Sequence, residues 1–309
     1  RHLPAVYGHE AAGIITGIGT DVSYYKIGDT VLVTLIRSCG ECISCSTGKP
    51  TCCETRYDVV SGPLQTLDGG AMQQGLATGA FAEKVVVDQS QIQTIPEDIS
   101  MASASLLACG VITGMGAVTN TAQVSTGSTV VVIGAGGVGL NAIQGAAIAG
   151  ASKIIAIDVS KEKLDAAKEF GATDGILTSE EKPYRIVKKM TGGRGVDYVF
   201  VTVGSIPAYE SASRFLSVGG SVVMVGMPPS GAKVAIEPVI LATTSQSLLG
   251  SYMGSSVLKK DIPILIDLYQ QGRLKLDELV TRQYSLNEIN EAVNDVKLGN
   301  TRRNVIVFD

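Results

Sequence analysis

The sequence has no run of basic residues long enough to track a phosphate backbone. Its 25 lysines and arginines stand against 29 acidic residues, for a net charge of −4. That balance excludes nucleic acid as an expected partner. No uncharged apolar stretch is read as reaching the roughly 18 residues of a bilayer span, and no charged-then-apolar signal opens the chain. A membrane partner is therefore not expected, and the location reads as cytoplasmic. There is no tryptophan, and there are only two histidines, His2 and His9, so each imidazole is a position to account for. There is no disulfide framework either. Of six cysteines, five lie within residues 39–53 and the sixth, Cys109, stands alone, a distribution that points to thiolate chemistry. Low-complexity tracts and repeats are lacking beyond a strand and helix alternation.

What is present is size and apolar content. With 309 residues, 45% of them hydrophobic, the chain is long enough for two domains with cores of their own. Residues 14–36 alternate glycine with β-branched residues and read as short strands of a small barrel. Residues 54–80 read as a long surface loop, after which "FAEKVVVDQSQIQTIP" resumes as strands. From residue 128 the pattern becomes strand, helix, strand: "STVVVIG", "GVGLNAIQGAAIAG", "KIIAIDVS", "KEKLDAAKEFGA". Further strands are expected at 196–204, 220–226 and 247–252, which makes five; six would complete a doubly wound parallel sheet. A helix follows with Pro263 near its first turn, and the chain closes on a strand-like "RNVIVF".

Cys39, Cys42, Cys45 and Cys53 form C-x2-C-x2-C-x7-C, with Gly40 and Gly48 letting the loop curl. Four thiolates held this closely repel one another. A tetrahedral Zn2+ relieves that repulsion and closes a lobe that has little core of its own. Iron–sulfur spacings place the last cysteine differently, and a redox pair is poorly served by three thiols in series. A complete four-cysteine shell leaves no open position, so this zinc is expected to be structural, with Cys52 a bystander.

"VVVIGAGGVGLNA" places Gly134, Gly136 and Gly139 in G-x-G-x-x-G between an apolar strand and a helix. The glycines serve a tight turn, a close backbone approach to a pyrophosphate, and helix-on-strand packing. The helix N-terminus favours the phosphate charge. Asp158 follows Gly139 by 19 residues, where a carboxylate accepts from both hydroxyls of an adenosine ribose and repels a 2′-phosphate; NAD is expected over NADP.

His9 with Glu10 in "VYGHEAAG", and Cys109 in "LLACGVITGMGA", are residue types suited to a catalytic metal, though a lone histidine or cysteine is more often structural. "GHEAAG", "GDTV", the four-cysteine lobe, "CGVITG" and the glycine loop occur in the order seen in zinc-dependent medium-chain alcohol dehydrogenases, and the sequence resembles that family over essentially its whole length. The resemblance implies a GroES-like β-barrel catalytic domain (residues 1–110), a Rossmann NAD-binding domain (111–251), and a return to the catalytic domain (252–309). By the same resemblance His9 and Cys109 are ligands of a catalytic zinc and Glu10 is a carboxylate able to approach it. Gly137 and Val138 lie in the nucleotide loop, Val138 backing the nicotinamide. Asp158 and Lys163 match the adenosine-ribose contacts, and Arg303 matches an arginine reaching the pyrophosphate. Thr113, Val203 and the stretch Val225 to Met227 match further nicotinamide and ribose surroundings.

Such enzymes carry another cysteine ligand and a proton relay upstream of His9. Neither is found before His9, and His2 cannot be assigned to the relay by position, so the polypeptide is expected to begin further upstream. The implied reaction is NAD-linked oxidation of an alcohol to an aldehyde or ketone, hydride leaving a zinc-bound alkoxide, with two zinc ions per full-length chain. A zinc-free quinone or enone reductase and a non-catalytic NAD-binding relative are the alternatives. The sequence admits primary, aromatic and secondary alcohols alike. A strand near 247–252 at a sheet edge suits a homo-oligomer, dimer or tetramer.

Overall fold

Short glycine-punctuated runs of β-branched residues and a later alternation of buried strands with helices give two different architectures in one chain. A computed structural model describes residues 3–57, 62–179, 182–299 and 301–308. The chain forms one unit from Arg1–Gly110 with Ser256–Asp309 and a second from Val111–Ser255. His2 lies outside the described residues, as does part of the 54–80 loop.

In the first unit, strands β1 (Glu10–Ile14), β2 (Thr30–Thr34) and β3 (Ile92–Thr94) form an antiparallel sheet in that order. Gly28, at φ +96°, turns the chain between β1 and β2, and its N–H donates to Ile15 O at 2.9 Å. Glu10 faces Thr34 and Ile14 faces Thr30 in the register. Val31, Leu32 and Val33 are buried in succession, so β2 is covered on both faces.

Two expectations for this unit are corrected. Of the "FAEKVVVDQSQIQTIP" stretch, only Ile92–Thr94 is a strand among the described residues. Asp88 opens a tight helical turn by accepting from Ser90 N, while the Gln91 side chain accepts from Asp88 N, and this capping box ends the extended run. Residues 54–80 are not wholly surface loop. Gln73–Gln74 pairs in parallel with Ala5–Val6, and Gln74 is buried with its amide satisfied, donating to Thr78 O and Val86 O.

The second unit is a six-stranded parallel sheet of β4 (Thr129–Ile133), β5 (Lys153–Asp158), β6 (Asp174–Leu177), β7 (Val196–Val201), β8 (Leu216–Met224) and β9 (Ser247–Gly250). Its order, β9-β8-β7-β4-β5-β6, reverses between β4 and β7. That reversal opens the crevice in which doubly wound sheets receive ligands. The core includes Val131, Ile155, Val199 and Val201, the continuous apolar runs that parallel strands need when helices cover both faces. Helix α1 (Gly137–Ile148) follows β4 directly. The unit runs on to Ser255 because Ser251 N donates to Met224 O and the Thr121 hydroxyl bonds those of Ser251 and Ser255.

The returning segment gives the first unit a helix (Leu258–Gln270) and a parallel pair, Val280–Tyr284 with Arg303–Ile306. Pro263 lies past the first turn of that helix, inside it, where its missing N–H forfeits one ladder bond. The reading that no uncharged apolar stretch reaches a membrane span is also corrected. Met101–Thr121 has the length and composition of one, but 78% of its apolar window is buried in the protein, which marks it as a core helix.

Candidate functional site

Gly8, at φ +92°, precedes His9, and a Cβ there would meet Phe81 N at 2.6 Å. Glycine thus lets the chain pass close under residues 80–81 and deliver His9 to the start of β1. Cys109 sits on a wide, π-type turn, Leu107–Val111, at the end of the helix Met101–Leu106. One ligand atom each from His9, Glu10 and Cys109 lies within 4.8 Å of the others. A tetrahedral zinc with bonds of ~2.0–2.3 Å has ligand–ligand edges of roughly 3.3–3.8 Å. Ligand atoms as far apart as 4.8 Å would have to close by up to about 1.5 Å to reach such edges, so the imidazole and the thiol are gathered near, not at, the geometry of a zinc site.

Glu10 is already engaged. Its carboxylate accepts from the Arg303 guanidinium, and its Oε1 accepts from Gly110 N at 3.1 Å. The Arg303 guanidinium lies close to Gly110, where a Cβ would come 2.8 Å from Nη2. The Glu10 charge, against the cost of burial, raises the Arg303 pKa further, and Cys109 adds to the effect. Arg303, expected at a pyrophosphate, therefore has Glu10 as its described partner. Gly110 is a residue that sequence reasoning missed, although it stands inside the quoted "CGVITG".

The four-cysteine lobe is tighter. The sulfur atoms of Cys39, Cys42, Cys45 and Cys53 lie within 4.8 Å of one another, and those of Cys39 and Cys45 are 4.0 Å apart. A Zn–S tetrahedron with bonds of ~2.3 Å has edges of about 3.8 Å, so the cage has the right size. Backbone N–H groups aim at the sulfurs: Cys42 N at 3.3 Å and Glu41 N at 3.4 Å to Cys39 Sγ, Glu54 N to Cys42 Sγ at 3.4 Å, and Cys39 N to Cys53 Sγ at 3.4 Å. A hydrogen bond from Thr55, then those from Cys42 N and Glu41 N, lowers the Cys39 thiol to about 6. Burial first, with its cysteine neighbours adding, pushes Cys45 up to about 12. Thiolates held this closely repel one another, a repulsion that a cation among them would relieve, and the size of the cage suits zinc. Cys52 is exposed and outside the cage. Tyr57 was not foreseen: its hydroxyl is 3.9 Å from Cys53 Sγ, and the Arg37 guanidinium stacks 3.8 Å over its ring.

In the second unit, Gly134 (φ +98°) turns the chain out of β4. A Cβ on Gly134 would come 2.3 Å from Val203 Cγ1, and one on Gly139 would come 1.8 Å from Gly134 O. A Cβ on Gly136, which caps α1, would meet nothing within 4 Å. That open space in front of a helix N-terminus is the cradle a pyrophosphate fills, and Gly137 and Val138 begin the helix behind it. Thr202, unforeseen, donates to Gly134 O at 2.7 Å and to Ile133 O at 3.0 Å, fixing the turn.

Asp158 is buried at the end of β5, its Oδ2 accepting from Ala135 N at 2.7 Å and its Oδ1 from Ser160 N at 3.1 Å. Glycine loop and acid are thus joined directly. Lys163 is half-buried on the first turn of the next helix, its N–H donating to the Ser160 hydroxyl. Val225 is buried and Met227 exposed, with Gly226 between them so close that a Cβ would strike the Val203 backbone at 2.4 Å. Thr113 belongs to this unit and donates to Met253 Sδ at 3.7 Å. Gly114 lets its helix lie against α1, a Cβ there coming 2.4 Å from Val138 O.

Residues 1–97 match the alcohol dehydrogenase GroES-like domain, and residues 137–271 match the zinc-binding dehydrogenase family. An NDMA-dependent alcohol dehydrogenase of Amycolatopsis methanolica is 34% identical over 317 residues, spanning 99% of this chain and 84% of that protein. The crystal structure of benzyl alcohol dehydrogenase from Acinetobacter calcoaceticus superposes with a TM-score of 0.92 at 33% identity, covering 99% and 85% of the two chains. An alcohol dehydrogenase zinc-binding domain protein from Burkholderia ambifaria gives 0.94 at 32% identity, covering 100% and 85%.

Proposed function

Because the chain belongs to the zinc-dependent medium-chain alcohol dehydrogenase family, we propose that it catalyses NAD-linked, reversible oxidation of an alcohol to an aldehyde or ketone. The observation that carries the proposal is the convergence of Cys109, remote in sequence, on the adjacent pair His9 and Glu10. His9 and Cys109 would hold a zinc ion there, and the ion would supply the Lewis acidity that makes an alcohol hydroxyl more acidic.

The chain's own residues do the rest. His9 and Cys109 hold the ion through one nitrogen and one sulfur. Glu10, fastened by Arg303 and Gly110, keeps a negative charge close to the cation without being spent as a permanent ligand. In the nucleotide unit, backbone amides beside Gly136 hold the pyrophosphate. Asp158, whose oxygens each keep a lone pair beyond the backbone bonds they accept, takes the adenosine-ribose hydroxyls and repels a 2′-phosphate. The Cys39, Cys42, Cys45 and Cys53 cage holds a second, structural zinc. The edge position of β9 supports pairing with a second copy.

The test is zinc analysis of the protein together with an alcohol panel offered NAD, NADP and NDMA in turn. Benzyl alcohol heads the panel because the Acinetobacter structure is named for it. Two zinc ions per full-length chain and turnover with NAD are expected, with one zinc and no turnover in Cys109→Ala or His9→Ala. Unchanged turnover in Cys109→Ala would sink the proposal.

A further inference from the structure

Thr34 is fully buried at the end of β2, beside the apolar run Val31, Leu32 and Val33. A hydroxyl in such a place needs a partner, or it costs more than a valine would. Its Oγ1 donates to Ala108 O at 2.6 Å, the carbonyl immediately before Cys109. Thr34 is also the residue directly opposite Glu10 in the antiparallel register. Directly paired residues project their side chains from the same face of a sheet, roughly 4.5–5.5 Å apart at Cβ. Glu10 accepts from Gly110 N, the amide immediately after Cys109. One cross-strand pair therefore grips the backbone on both sides of Cys109, one member supplying a donor and the other an acceptor.

We propose that Thr34 is a positioning residue that, with Glu10, clamps residues 108–110 and so holds the Cys109 sulfur in place toward His9. The proposal rests on the reading of His9 and Cys109 as metal ligands. The clamp is needed where it stands because Cys109 lies on the wide turn Leu107–Val111, where the regular helical ladder is interrupted. The threonine is itself fixed. Ile36 N donates to Thr34 Oγ1 at 3.4 Å. The amide of Gln91, also buried, donates to Thr34 O at 3.0 Å. A thiolate ligand whose backbone is pinned this way pays little to adopt its bound geometry, and outer-shell contacts of this kind change metal affinity by roughly 10–100-fold.

The experiment follows zinc release to a chromogenic chelator from the full chain as isolated, for the unaltered protein, Thr34→Val, Thr34→Ser and Cys109→Ser, with total zinc and unfolding midpoint measured alongside. Two release phases are expected in the unaltered protein, one for each site. Thr34→Val should accelerate one of them by about 10–100-fold and leave the other alone, and Thr34→Ser, which keeps the hydroxyl, should restore the slow rate. Should Thr34→Val fail to fold, Thr34→Ala gives the same reading. Release at the unaltered rate in these variants, with only the unfolding midpoint lowered, makes the threonine a core residue and overturns the clamp. If Cys109→Ser keeps both zinc ions, it is the ligand reading that fails; if Cys109→Ser loses one while Thr34→Val releases normally, only the clamp fails.

Discussion

Arg303 donates to the carboxylate of Glu10 across 293 residues of sequence, with both side chains less than a quarter exposed. The pair closes the first unit on itself, joining β1 to the strand Arg303–Ile306. Truncation to Arg303→Ala leaves the Glu10 charge partly buried with only Gly110 N described as its donor, a loss of about 1–3 kcal/mol. A denaturant series on Arg303→Ala, Glu10→Gln and the double variant should show a double loss well short of the sum of the single losses. Additive losses would show that the two side chains do not stabilise one another.

Gly136 and Gly139 make opposite predictions from the same substitution. A Cβ at 139 would lie 1.8 Å from Gly134 O, so Gly139→Ala should shift the helix off the strand, cost several kcal/mol and lower the melting temperature by ~5 °C or more. A Cβ at 136 meets nothing. Gly136→Ala should melt within a degree or two of the unaltered protein yet bind NAD at least about tenfold more weakly, because the methyl stands where the pyrophosphate must approach. Thermal melts paired with NAD titrations separate the two. Equal NAD affinity in Gly136→Ala would remove the pyrophosphate from this loop.

How much of this was legible in the sequence follows from how local each feature is. The cysteine cage closes within 15 residues, and the glycine loop with Asp158 lies within one strand–helix–strand unit, so spacing alone revealed both. Five of the six parallel strands are legible because burial on both faces demands continuous runs such as "VVVI"; the short edge strand Asp174–Leu177, with only Ile176 buried, offers no such run and was not expected. Thr34 and Ala108 are 74 residues apart, and their contact depends on which residue β2 sets opposite Glu10, a matter of register that composition does not express. The strands expected through residues 81–96 reduce to Ile92–Thr94, and the Asp88 capping box, whose D-x-x-Q pattern stands in the sequence, turns the chain just before it. The uncharged stretch 101–121 is long enough for a membrane span, and only its burial, which composition does not express, marks it as a core helix.

Asp158 should set the choice of dinucleotide. Two hydrogen bonds from ribose hydroxyls to a buried carboxylate are worth about 1.5–3 kcal/mol each at most, so Asp158→Asn should raise the KM for NAD by roughly 10–100-fold. Removing the charge also removes the repulsion of a 2′-phosphate, and the ratio of kcat/KM values for NAD and NADP should fall toward unity. Because Asp158 also accepts from Ala135 N and Ser160 N, asparagine, which keeps one acceptor, is the substitution to use. Steady-state kinetics with both dinucleotides decides it, and an unchanged ratio would place the discrimination elsewhere.

Asp197 should supply part of the acid sensitivity. At the start of β7 its Oδ2 accepts from Thr129 N and Thr129 Oγ1, both at 2.8 Å, and its Oδ1 from Arg194 at 2.7 Å. Burial works to raise its pKa, but the hydrogen bonds from Arg194 and Thr129 outweigh it and hold the carboxyl below the usual carboxylate range. A folded-state pKa below the unfolded one means that the stabilisation is present above the unfolded value, about 4, and is lost as the pH falls through the folded one. Urea midpoints measured from pH 7 to pH 3 should be flat for this contribution down to about pH 5 and then fall. Asp197→Asn should start about 1–2 kcal/mol lower at pH 7 and converge on the unaltered protein in acid, because protonation has by then already cost the latter the same bonds. Parallel curves would show that the carboxylate is not what acid removes, and would turn attention to the other carboxyls held low by hydrogen bonds, Asp68, Glu162 and Glu288 among them.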